Sequence, residues 1–455
     1  MKPACFKTYD IRGRVPSEFN QPLAQRVGRA FARLLSPTQV AVGWDARLSS
    51  PELAEAVTAG LRSQGVNVLK LGLCGTETVY FAVHSLSLGG GVMVTASHNP
   101  ADYNGLKFVG PRAVPLSNQQ FEQLAAATRQ EWPDTNRGGV EERDITDAFL
   151  DRLVELFAPA SLGAWRIVAD AGNGAIGPTL CHLAKRYPDL ELLVLHGQPD
   201  GTFPNGVPNP LLPENRAATA AAVREHQAEL GVAWDGDFDR CFLFDHRGEF
   251  VDNYYLLAAL AGHYLEREPG GIIVHDPRLT WHTIEAVTRL GGTPRLSRTG
   301  HAFVKAAMRE SEAIYGAEMS GHHYFRDFGY CDSGLLPFLA TLQMLHRRGR
   351  SLADLLDGGR ARFPISGEIN REVADSEAVL AAAATEFGPQ ALRRCDLDGL
   401  SLDFADWRFN LRRSNTEPLI RLNVESRGDA DLVERMTQRL LALVEGVGKN
   451  KPQRL

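Results

Sequence analysis

The chain has 455 residues, of which 44% are hydrophobic and 23% are charged, and its formal net charge is −6. This length predicts about three domains and supplies ample apolar material for their cores. The negative charge argues against nucleic acid as the main ligand, because proteins that bind polyanions present a basic face. A small anionic substrate remains compatible with the composition if basic side chains are gathered locally.

The cysteines and apolar segments predict a cytoplasmic protein. None of the six cysteines forms a Cys-x-x-Cys pair, so the sequence indicates neither a zinc knot nor a disulfide framework. Residues 1–10 are charged early and lack the apolar core of a signal peptide. The longest apolar run, near Leu256–Ala261, is far too short to span a membrane. We therefore expect neither membrane nor nucleic-acid partners.

The N-terminal part of the chain shows the pattern of an α/β protein. A short charged segment, Tyr9–Arg14, could be an exposed arm, and a first helix is predicted over Leu23–Leu35. An apolar strand, Val40–Asp45, then leads into a helix that ends near Gln64, and a second strand follows over Val66–Leu71. Two strands joined by a helix are expected to pair in parallel.

A strand followed by Asp-x-Arg-Leu-Ser/Thr and a helix occurs twice, with the aspartates at Asp45 and Asp276. A weaker copy follows the strand Trp165–Asp170, without the arginine, and leads into a helix near Gly177–Arg186. Three related units suggest an α/β domain used three times. We predict domains over residues 1–144, 145–249, 250–363 and 364–455.

The last of these domains follows a different pattern, in the order strand, helix, strand, strand, helix. This order is typical of an α+β domain with an antiparallel pair. The predicted elements are Ser366–Val373, Ser376–Phe387, Leu400–Leu411, Leu419–Glu425 and Ala430–Val444.

A serine and a histidine, Ser97 and His98, stand in the loop after the short predicted strand Val92–Val94. Pro100 prevents any regular continuation, because proline lacks an N–H donor and restricts the residue before it. Reacting groups of α/β proteins often lie in such loops. Ser97 could also be an ordinary turn serine, but three further stretches supply what a phosphate-carrying serine needs.

The first of these stretches, Asp235–Asp239, places three carboxylates at alternate positions between two apolar strands. Carboxylates this close repel one another unless a cation neutralises them, and their hard oxygen ligands suit Mg²⁺. An EF-hand is excluded, because Arg240 and His246 occupy positions that require Gly and Glu. A solvated acidic turn is the alternative interpretation.

The second stretch contains Glu318 and Ser320, whose carboxylate and hydroxyl match the hydroxyls of a sugar. A zinc site formed by Glu318, His322 and His323 is conceivable, although adjacent histidines diverge in most backbones.

The third stretch, Arg412–Pro418 with Arg421 beyond, lies between two predicted strands. Its guanidinium, hydroxyl, amide and backbone N–H groups would make a phosphate clamp. A charged hairpin tip is the alternative.

Thr-Ala-Ser-His-Asn-Pro at Thr95–Pro100 and Asp-Gly-Asp-x-Asp-Arg at Asp235–Arg240, in this order and spacing, resemble the motifs of the α-D-phosphohexomutase family. The resemblance covers essentially the whole chain. It implies three similar mixed α/β domains and a C-terminal α+β domain around a central active-site cleft. The implied enzyme is an intramolecular phosphotransferase, an isomerase that interconverts the 6-phosphate and 1-phosphate of mannose, and also of glucose, as in nucleotide-sugar biosynthesis. The implied cofactors are Mg²⁺ and a hexose 1,6-bisphosphate, and we expect a monomer, with a weak dimer as the alternative.

The resemblance also implies roles for individual residues. Ser97 would carry the phosphoryl group beside His98 and Lys107, and Arg240 would help to position the substrate. The metal would be bound by the phosphate of Ser97 and by Asp235, Asp237 and Asp239. The general base is left open among His322, His301 and Lys107. The implied substrate-binding residues are Tyr9, Arg12, Arg278, His301, Glu318, Met319, Ser320, Gly321, His322, Arg412, Arg413, Ser414, Asn415, Thr416 and Arg421.

Two other functions are compatible with parts of the sequence. In a Mg²⁺-dependent sugar phosphatase, Asp235 would be the nucleophile of an Asp-x-Asp motif, but Ser97 and the clamp would then have no purpose. In a non-catalytic sugar-phosphate sensor, a catalytic group should be missing, whereas every expected group is present.

Overall fold

The computed structural model describes residues 3–157, 162–413 and 419–448. It forms two compact units, Met1–Val251 with Ser320–Leu352 and Asp252–Met319 with Ala353–Leu455. Within the described ranges, no helix combines enough length with enough apolar character to cross a bilayer. The predicted phosphate ligands Ser414, Asn415 and Thr416 lie outside these ranges.

The N-terminal part of the first unit is built on a six-stranded mixed sheet. Its elements are β1 (Ile11–Arg14), α1 (Gln21–Leu35), β2 (Gln39–Trp44), α2 (Ser50–Arg62), β3 (Asn67–Leu73), α3 (Thr76–Ser85), β4 (Gly91–Val94), β5 (Tyr103–Val109), α4 (Asn118–Ala127) and β6 (Val140–Glu142). The strand order is β1-β5-β4-β2-β3-β6. β2 pairs in parallel with β3 and β4, which confirms the predicted strand–helix–strand unit. β5 pairs antiparallel with β4 and β1.

Helices α1 and α2 pack against each other at two glycines. A Cβ added to Gly28 would lie 2.4 Å from the carbonyl oxygen of Val57, and one added to Gly60 would lie 2.1 Å from that of Gln25. Both distances are far shorter than a van der Waals contact, so the two backbones can approach this closely only without side chains.

The middle part of the first unit contains a four-stranded sheet. Its elements are α5 (Thr146–Phe157), β7 (Trp165–Asp170), α6 (Ile176–Arg186), β8 (Leu190–Leu195), α7 (Ala217–Glu225), β9 (Leu230–Trp234) and β10 (Cys241–Asp245). β7 pairs in parallel with β8 and β9, and β10 closes the sheet antiparallel to β9. The predicted acidic stretch is therefore the connection of a hairpin, with apolar buried strands on both sides.

The following part of the chain contributes to both units. In the second unit, it forms α8 (Asn253–Arg267), β11 (Ile272–His275), α9 (Trp281–Arg289), β12 (Thr293–Leu296), α10 (His301–Ser311) and β13 (Tyr315–Ala317). β11 pairs in parallel with β12 and β13. The chain then enters the first unit as β14 (His323–Phe325), β15 (Cys331–Asp332) and α11 (Leu335–Arg348), where Trp234 donates a hydrogen bond of 2.9 Å to the carbonyl of Gly334. It re-enters the second unit in α12 (Leu352–Arg362).

The C-terminal part of the second unit is a five-stranded antiparallel sheet with two helices. Its elements are β16 (Ile369–Glu372), α13 (Ser376–Phe387), β17 (Arg393–Cys395), β18 (Leu400–Asp403), β19 (Trp407–Arg413), β20 (Leu419–Ser426) and α14 (Ala430–Gly448), and the strand order is β16-β20-β19-β18-β17. The predicted α+β pattern is confirmed, but the single strand predicted over Leu400–Leu411 is wrong. A turn divides it, closed by a 2.9 Å hydrogen bond from the amide of Phe404 to the carbonyl of Trp407. No Gly or Pro marks this turn, and the short β17 was not predicted.

A buried carboxylate joins the two parts of the second unit. Glu425 of β20 accepts hydrogen bonds from the amide of Thr280 at 2.7 Å and from Arg408 at 2.8 Å, and also from the hydroxyl of Tyr254. Arg408 donates further to the carbonyl of Arg278 at 3.0 Å. The loop that carries Arg278 is therefore held directly against the C-terminal sheet.

The close packing of α1 on α2 gives a prediction with an internal control. Gly60→Ala should lower the free energy of unfolding by about 3 kcal/mol, because a methyl group must displace backbone that cannot move freely. Gly446→Ala, at an exposed position of α14 with nothing within 4 Å, should raise it by about 0.5–1 kcal/mol through helix propensity. Thermal and urea unfolding of both variants would check the opposite signs. Equal stability of Gly60→Ala and the wild type would contradict the packing described.

Candidate active site

The loop after β4 holds Ser97 in a conformation that is uncommon for serine. Its φ is 51°, in the left-handed region, and its amide donates to the hydroxyl of Thr95 at 2.8 Å. Thr95 in turn donates to Asp45 at 2.7 Å. The Ser97 side chain is fully buried, and its Oγ lies 3.1 Å from Nδ1 of His98. These contacts fix the direction in which the hydroxyl points.

The hydroxyl of Ser97 meets the acidic hairpin directly. Ser97 Oγ donates to Oδ2 of Asp235 over 2.5 Å, although the two residues are separated by 138 positions in the sequence. The approach requires glycine at position 236, because a Cβ there would lie 2.8 Å from the carbonyl oxygen of Ser97. The structure thus brings together the two motifs that the sequence analysis identified independently.

Two residues of the N-terminal sheet hold the other carboxylates of the hairpin. Lys107 on β5 donates to Asp237 at 2.6 Å and to Asp239 at 2.5 Å. Thr76, the first residue of α3, donates its hydroxyl to Asp237 at 2.5 Å and its amide to the Asp237 carbonyl at 3.0 Å. One ammonium and one hydroxyl therefore offset part of the repulsion between the acids.

The acidic hairpin has the donor set of a metal site. One oxygen each of Asp235, Asp237 and Asp239 lies within 4.8 Å of the others. The Oδ1 atom of each of the three is buried without a hydrogen-bond donor, which is costly unless a cation is bound. Hard carboxylate oxygens of this kind fit Mg²⁺ or a similar divalent ion. The residues present therefore fit the predicted metal.

The charges in the hairpin shift the pKa values of these groups in different directions. Burial, followed by the neighbouring carboxylates Asp237 and Asp239, raises the pKa of Asp235 to about 7. Burial would also raise the pKa of Asp237, but Lys107 outweighs it and the pKa falls below the ordinary value. Burial would lower the pKa of Lys107, but Asp237 and Asp239 raise it. Lys107 is thus a fixed cation and a poor candidate for the general base.

A histidine completes this group in the first unit. Nδ1 of His322 lies 3.0 Å from Asp332 and 3.7 Å from Asp239, and its Nε2 accepts from Arg240 at 3.0 Å. Arg240 also lies 3.6 Å from Asp235. Within the described residues, the only other group with metal-ligand spacing is Asp239, His322 and Asp332, so the conceivable zinc site with His323 does not form. His323 is buried in β14, and burial lowers its pKa to about 3.

Among the remaining predicted residues of the first unit, Arg12 contacts the loop that carries Ser97. Arg12 on β1 donates to the side chain of Asn99 at 3.0 Å and pairs with Asp10 at 2.9 Å. Burial, together with the nearby Arg240 and Arg12, lowers the pKa of His98 well below its ordinary value, so His98 is neutral at pH 7. Tyr9 and Ser320 are half-buried, and Gly321 has a φ of 92° and accepts a main-chain bond from Cys241.

In the second unit, Arg278 lies between Asp276 and Glu318, the carboxylate predicted to bind the sugar. It donates to Asp276 at 2.5 Å and lies 3.9 Å from Glu318. Glu318 follows β13 and accepts the amide of Gly300, which precedes α10, at 2.7 Å. Asp276 also accepts the amide of Met319 at 2.9 Å. His301, the first residue of α10, therefore directly follows a residue that is bonded to Glu318.

Three guanidiniums converge on one carboxylate, Glu368, which directly precedes β16. Its Oε2 lies 3.2 Å from Arg278 and 3.1 Å from Arg412, and its Oε1 lies 3.1 Å from Arg421. Arg412 and Arg421 are cross-strand partners on β19 and β20, where like charges alone would repel. Arg413 follows Arg412 on β19 and pairs instead with Glu377.

Several of these residues were not predicted from the sequence. Glu368, Thr76 and Asp332 carry no local pattern, because their importance comes only from partners distant in sequence. Arg47 could have been found, since it is the arginine of the first Asp-x-Arg repeat. Its guanidinium is buried against the Ser97 loop.

Four domain families match consecutive parts of the chain. They are phosphoglucomutase/phosphomannomutase alpha/beta/alpha domain I over residues 3–133, domain II over 147–248, domain III over 252–363 and the C-terminal domain over 368–443. The chain belongs to the phosphoglucomutase/phosphomannomutase family. The predicted family and its three α/β domains with a fourth C-terminal domain are thereby confirmed.

Relatives in this family match the chain from end to end. The phosphohexose mutases of Xanthomonas campestris pv. campestris are 51% identical over 446 residues, covering 97% of this chain and 99% of the relative. The phosphomannomutase of Salmonella typhimurium is 49% identical over 454 residues, with the same coverage. The crystal structure of a phosphoglucomutase/phosphomannomutase family protein from Burkholderia thailandensis is 32% identical, with a TM-score of 0.87 over 99% of both chains.

The arginine cluster on Glu368 gives a prediction about stability and pH. Burial would raise the pKa of Glu368, but Arg412, Arg278 and Arg421 outweigh it and lower the pKa. The ion pairs therefore stabilise the folded protein above the unfolded-state pKa of about 4.3, and this contribution is lost as the pH falls toward the lowered folded-state value. Glu368→Gln should lower the free energy of unfolding by about 3 kcal/mol at pH 7, and by less at pH 3.5.

Urea unfolding of Glu368→Gln and wild type at both pH values would measure this difference. Glu372→Gln, on the exposed side of β16, is the matched control and should leave stability unchanged. A loss of stability in Glu368→Gln that is the same at both pH values would contradict the ionic origin.

Proposed function

We propose that this protein is a phosphomannomutase/phosphoglucomutase, which interconverts the 6-phosphate and the α-1-phosphate of mannose and of glucose. The observation that carries the proposal is the 2.5 Å hydrogen bond between Ser97 and Asp235, because it unites a serine nucleophile with an acidic metal-binding hairpin. The names of relatives about 50% identical over nearly their whole length support the same reaction.

In the proposed reaction, a phosphoryl group bound to Oγ of Ser97 passes to O1 or O6 of a hexose monophosphate. The P–Oγ bond breaks as the new P–O bond forms, and the sugar hydroxyl loses its proton. The resulting hexose 1,6-bisphosphate then returns its other phosphoryl group to Ser97. Charge spread over the transferring oxygens is the main obstacle to this chemistry, so fixed positive charge is the main requirement.

The residues around Ser97 meet this requirement. Asp235, Asp237 and Asp239 would hold Mg²⁺, which supplies charge neutralisation on the phosphoryl oxygens when bound. Lys107 adds a permanently charged ammonium next to the same hairpin. His322, paired with Asp332, is the better candidate for the base, because Lys107 is held in its charged form. His301 remains a second candidate.

Further predicted residues are proposed to bind the sugar and its other phosphate. Glu318 and Ser320 would accept and donate hydrogen bonds with sugar hydroxyls that glucose and mannose share. Arg412 and Arg421, with Arg278 on the same carboxylate, would bind the phosphate that does not react. The three guanidiniums that meet at Glu368 would offer several N–H donors to an incoming anion.

A coupled mutase assay tests the proposal. Wild-type protein with Mg²⁺ and a trace of glucose 1,6-bisphosphate should convert glucose 1-phosphate and mannose 1-phosphate at comparable rates. Ser97→Ala should lose at least about 1,000-fold in kcat, because no other group can carry the phosphoryl. Intact mass should show one phosphoryl group on the wild type after incubation with the bisphosphate and none on Ser97→Ala.

The same experiment separates the two alternatives. A phosphatase that uses Asp235 would release inorganic phosphate from glucose 1-phosphate, and Ser97→Ala would remain fully active. A non-catalytic sensor would bind the sugar phosphates without isomerising them, even with added bisphosphate. Either result would reject the mutase.

The metal-binding role of the hairpin gives a second prediction. Asp239→Asn should weaken binding of Mg²⁺ or Mn²⁺ by about 100-fold or more in calorimetry, because it removes one of three anionic ligands. Asp245→Asn is the matched control: Asp245 lies on the same hairpin and binds Arg247, away from the cluster, so the metal affinity should not change. Chelation should abolish wild-type activity, and added Mg²⁺ should restore it. Activity in excess chelator would contradict the assignment.

A further inference from the structure

The guanidinium of Arg47, at the end of β2, bonds to four main-chain carbonyls of one loop. Its NH1 donates to Pro100 at 2.6 Å and to Tyr103 at 2.9 Å. Its NH2 donates to Ser97 at 2.8 Å and to Asn99 at 2.6 Å. Only 1% of Arg47 is exposed, so its guanidinium is shielded from water, and its bond to Ser97 is fully buried. The loop is the one that presents the hydroxyl of Ser97 to Asp235.

The backbone of the loop supplies only part of the donors that its carbonyls need; the Pro100 carbonyl, for example, also accepts the amide of Tyr103 at 3.0 Å. Buried carbonyls outside regular structure require donors, and no other side chain offers several donors in one plane. Ser97 also occupies left-handed φ space, which costs about 1 kcal/mol or more for a residue with a Cβ. The guanidinium of Arg47 is itself oriented by Asp45, because its Nε lies 3.2 Å from the Asp45 carboxylate.

The repeated strand–Asp–helix units show that the fold does not require this arginine. In the third copy, Asp170 ends β7 and Gly172 stands where Arg47 stands, yet β7 and α6 form as predicted. In the second copy, Arg278 binds carboxylates: Asp276 at 2.5 Å and Glu368 at 3.2 Å. Only Arg47 is directed at the carbonyls of a loop that carries a nucleophile.

We propose that Arg47 is a positioning residue for phosphoryl transfer, which holds the main chain of residues 97–103 so that Oγ of Ser97 is aligned with the acidic hairpin. The inference rests on the proposed function, because it assumes that Ser97 carries the phosphoryl group. The role depends on the planar arrangement of donors and not on positive charge alone. Lysine at this position would keep the charge and lose the geometry.

Arg47→Lys is therefore the informative variant. Its kcat with glucose 1-phosphate should fall by about 10- to 100-fold, the effect expected when a reacting atom is displaced by up to about 1 Å. KM should change by less than about threefold, because the proposed sugar and phosphate ligands are other residues. A role confined to folding would lower only the fraction of active protein, so kcat per phosphorylated Ser97, counted by intact mass after incubation with glucose 1,6-bisphosphate, would equal that of the wild type.

The rate at which phosphorylated Ser97 releases inorganic phosphate provides a second measurement. Water can attack phosphorylated Ser97, which breaks the P–Oγ bond and leaves serine and inorganic phosphate. Protein phosphorylated with glucose 1,6-bisphosphate and freed of sugar should lose its phosphate faster in Arg47→Lys than in the wild type, because a loosened loop admits water.

Arg216→Lys is the matched control. Arg216 also donates to two main-chain carbonyls, at 2.8 Å to Pro210 and at 2.6 Å to Leu211, and its guanidinium stacks on Phe250. These contacts do not involve the Ser97 loop, so kcat, KM and phosphate release should equal those of the wild type.

If the wild type is active, three results would overturn the inference. They are a kcat of Arg47→Lys within twofold of the wild type, an equal loss in Arg216→Lys, and failure of both Arg47→Lys and Arg47→Gln to fold while Arg216→Lys folds. An inactive wild type would reject the proposed function itself.

Discussion

Like charges held close together by a shared opposite charge are the constraint on which both charged clusters depend. Three carboxylates share one hairpin in the first unit, and Lys107 bonds to two of them. In the second unit, three guanidiniums share Glu368. Removed from water, neither set would be stable without its counter-charge, because buried unpaired ions are costly. The counter-charge also sets the geometry of each set, since every ion pair has a preferred distance and direction.

The counter-charge of the acidic hairpin comes from a different domain of the same unit. Lys107 and Thr76 belong to the N-terminal sheet and its helix α3, whereas Asp237 lies between β9 and β10. The same sheet carries the loop of Ser97, which Arg47 holds from β2. The serine and the acids are therefore fixed to one framework, and their separation of 2.5 Å does not depend on a flexible connection.

The sequence predicted those features whose physical cause is local. Three alternating acids between apolar strands, and a serine loop closed by Asn-Pro, indicate their chemistry within a dozen residues. Glu368 and Thr76 could not be predicted, because each matters only through partners that the fold brings from far along the chain. The turn that divides β18 from β19 was also missed, because its residues, Phe404 to Trp407, include neither Gly nor Pro. The rings of Phe404 and Trp407 stack on each other across this turn, with their centroids 4.3 Å apart.

A serine fixed at so many points cannot swing between the two ends of a sugar. In the proposed reaction, the hexose itself must rotate, so that one oxygen first receives the phosphoryl group from a stationary serine and the phosphoryl group on the other oxygen then returns to it. The doubly phosphorylated sugar formed between the two transfers is the species that turns, and each molecule that escapes before turning leaves an unphosphorylated serine behind. The fraction of protein that carries a phosphorylated serine therefore depends on how often the intermediate escapes and how often it is bound again.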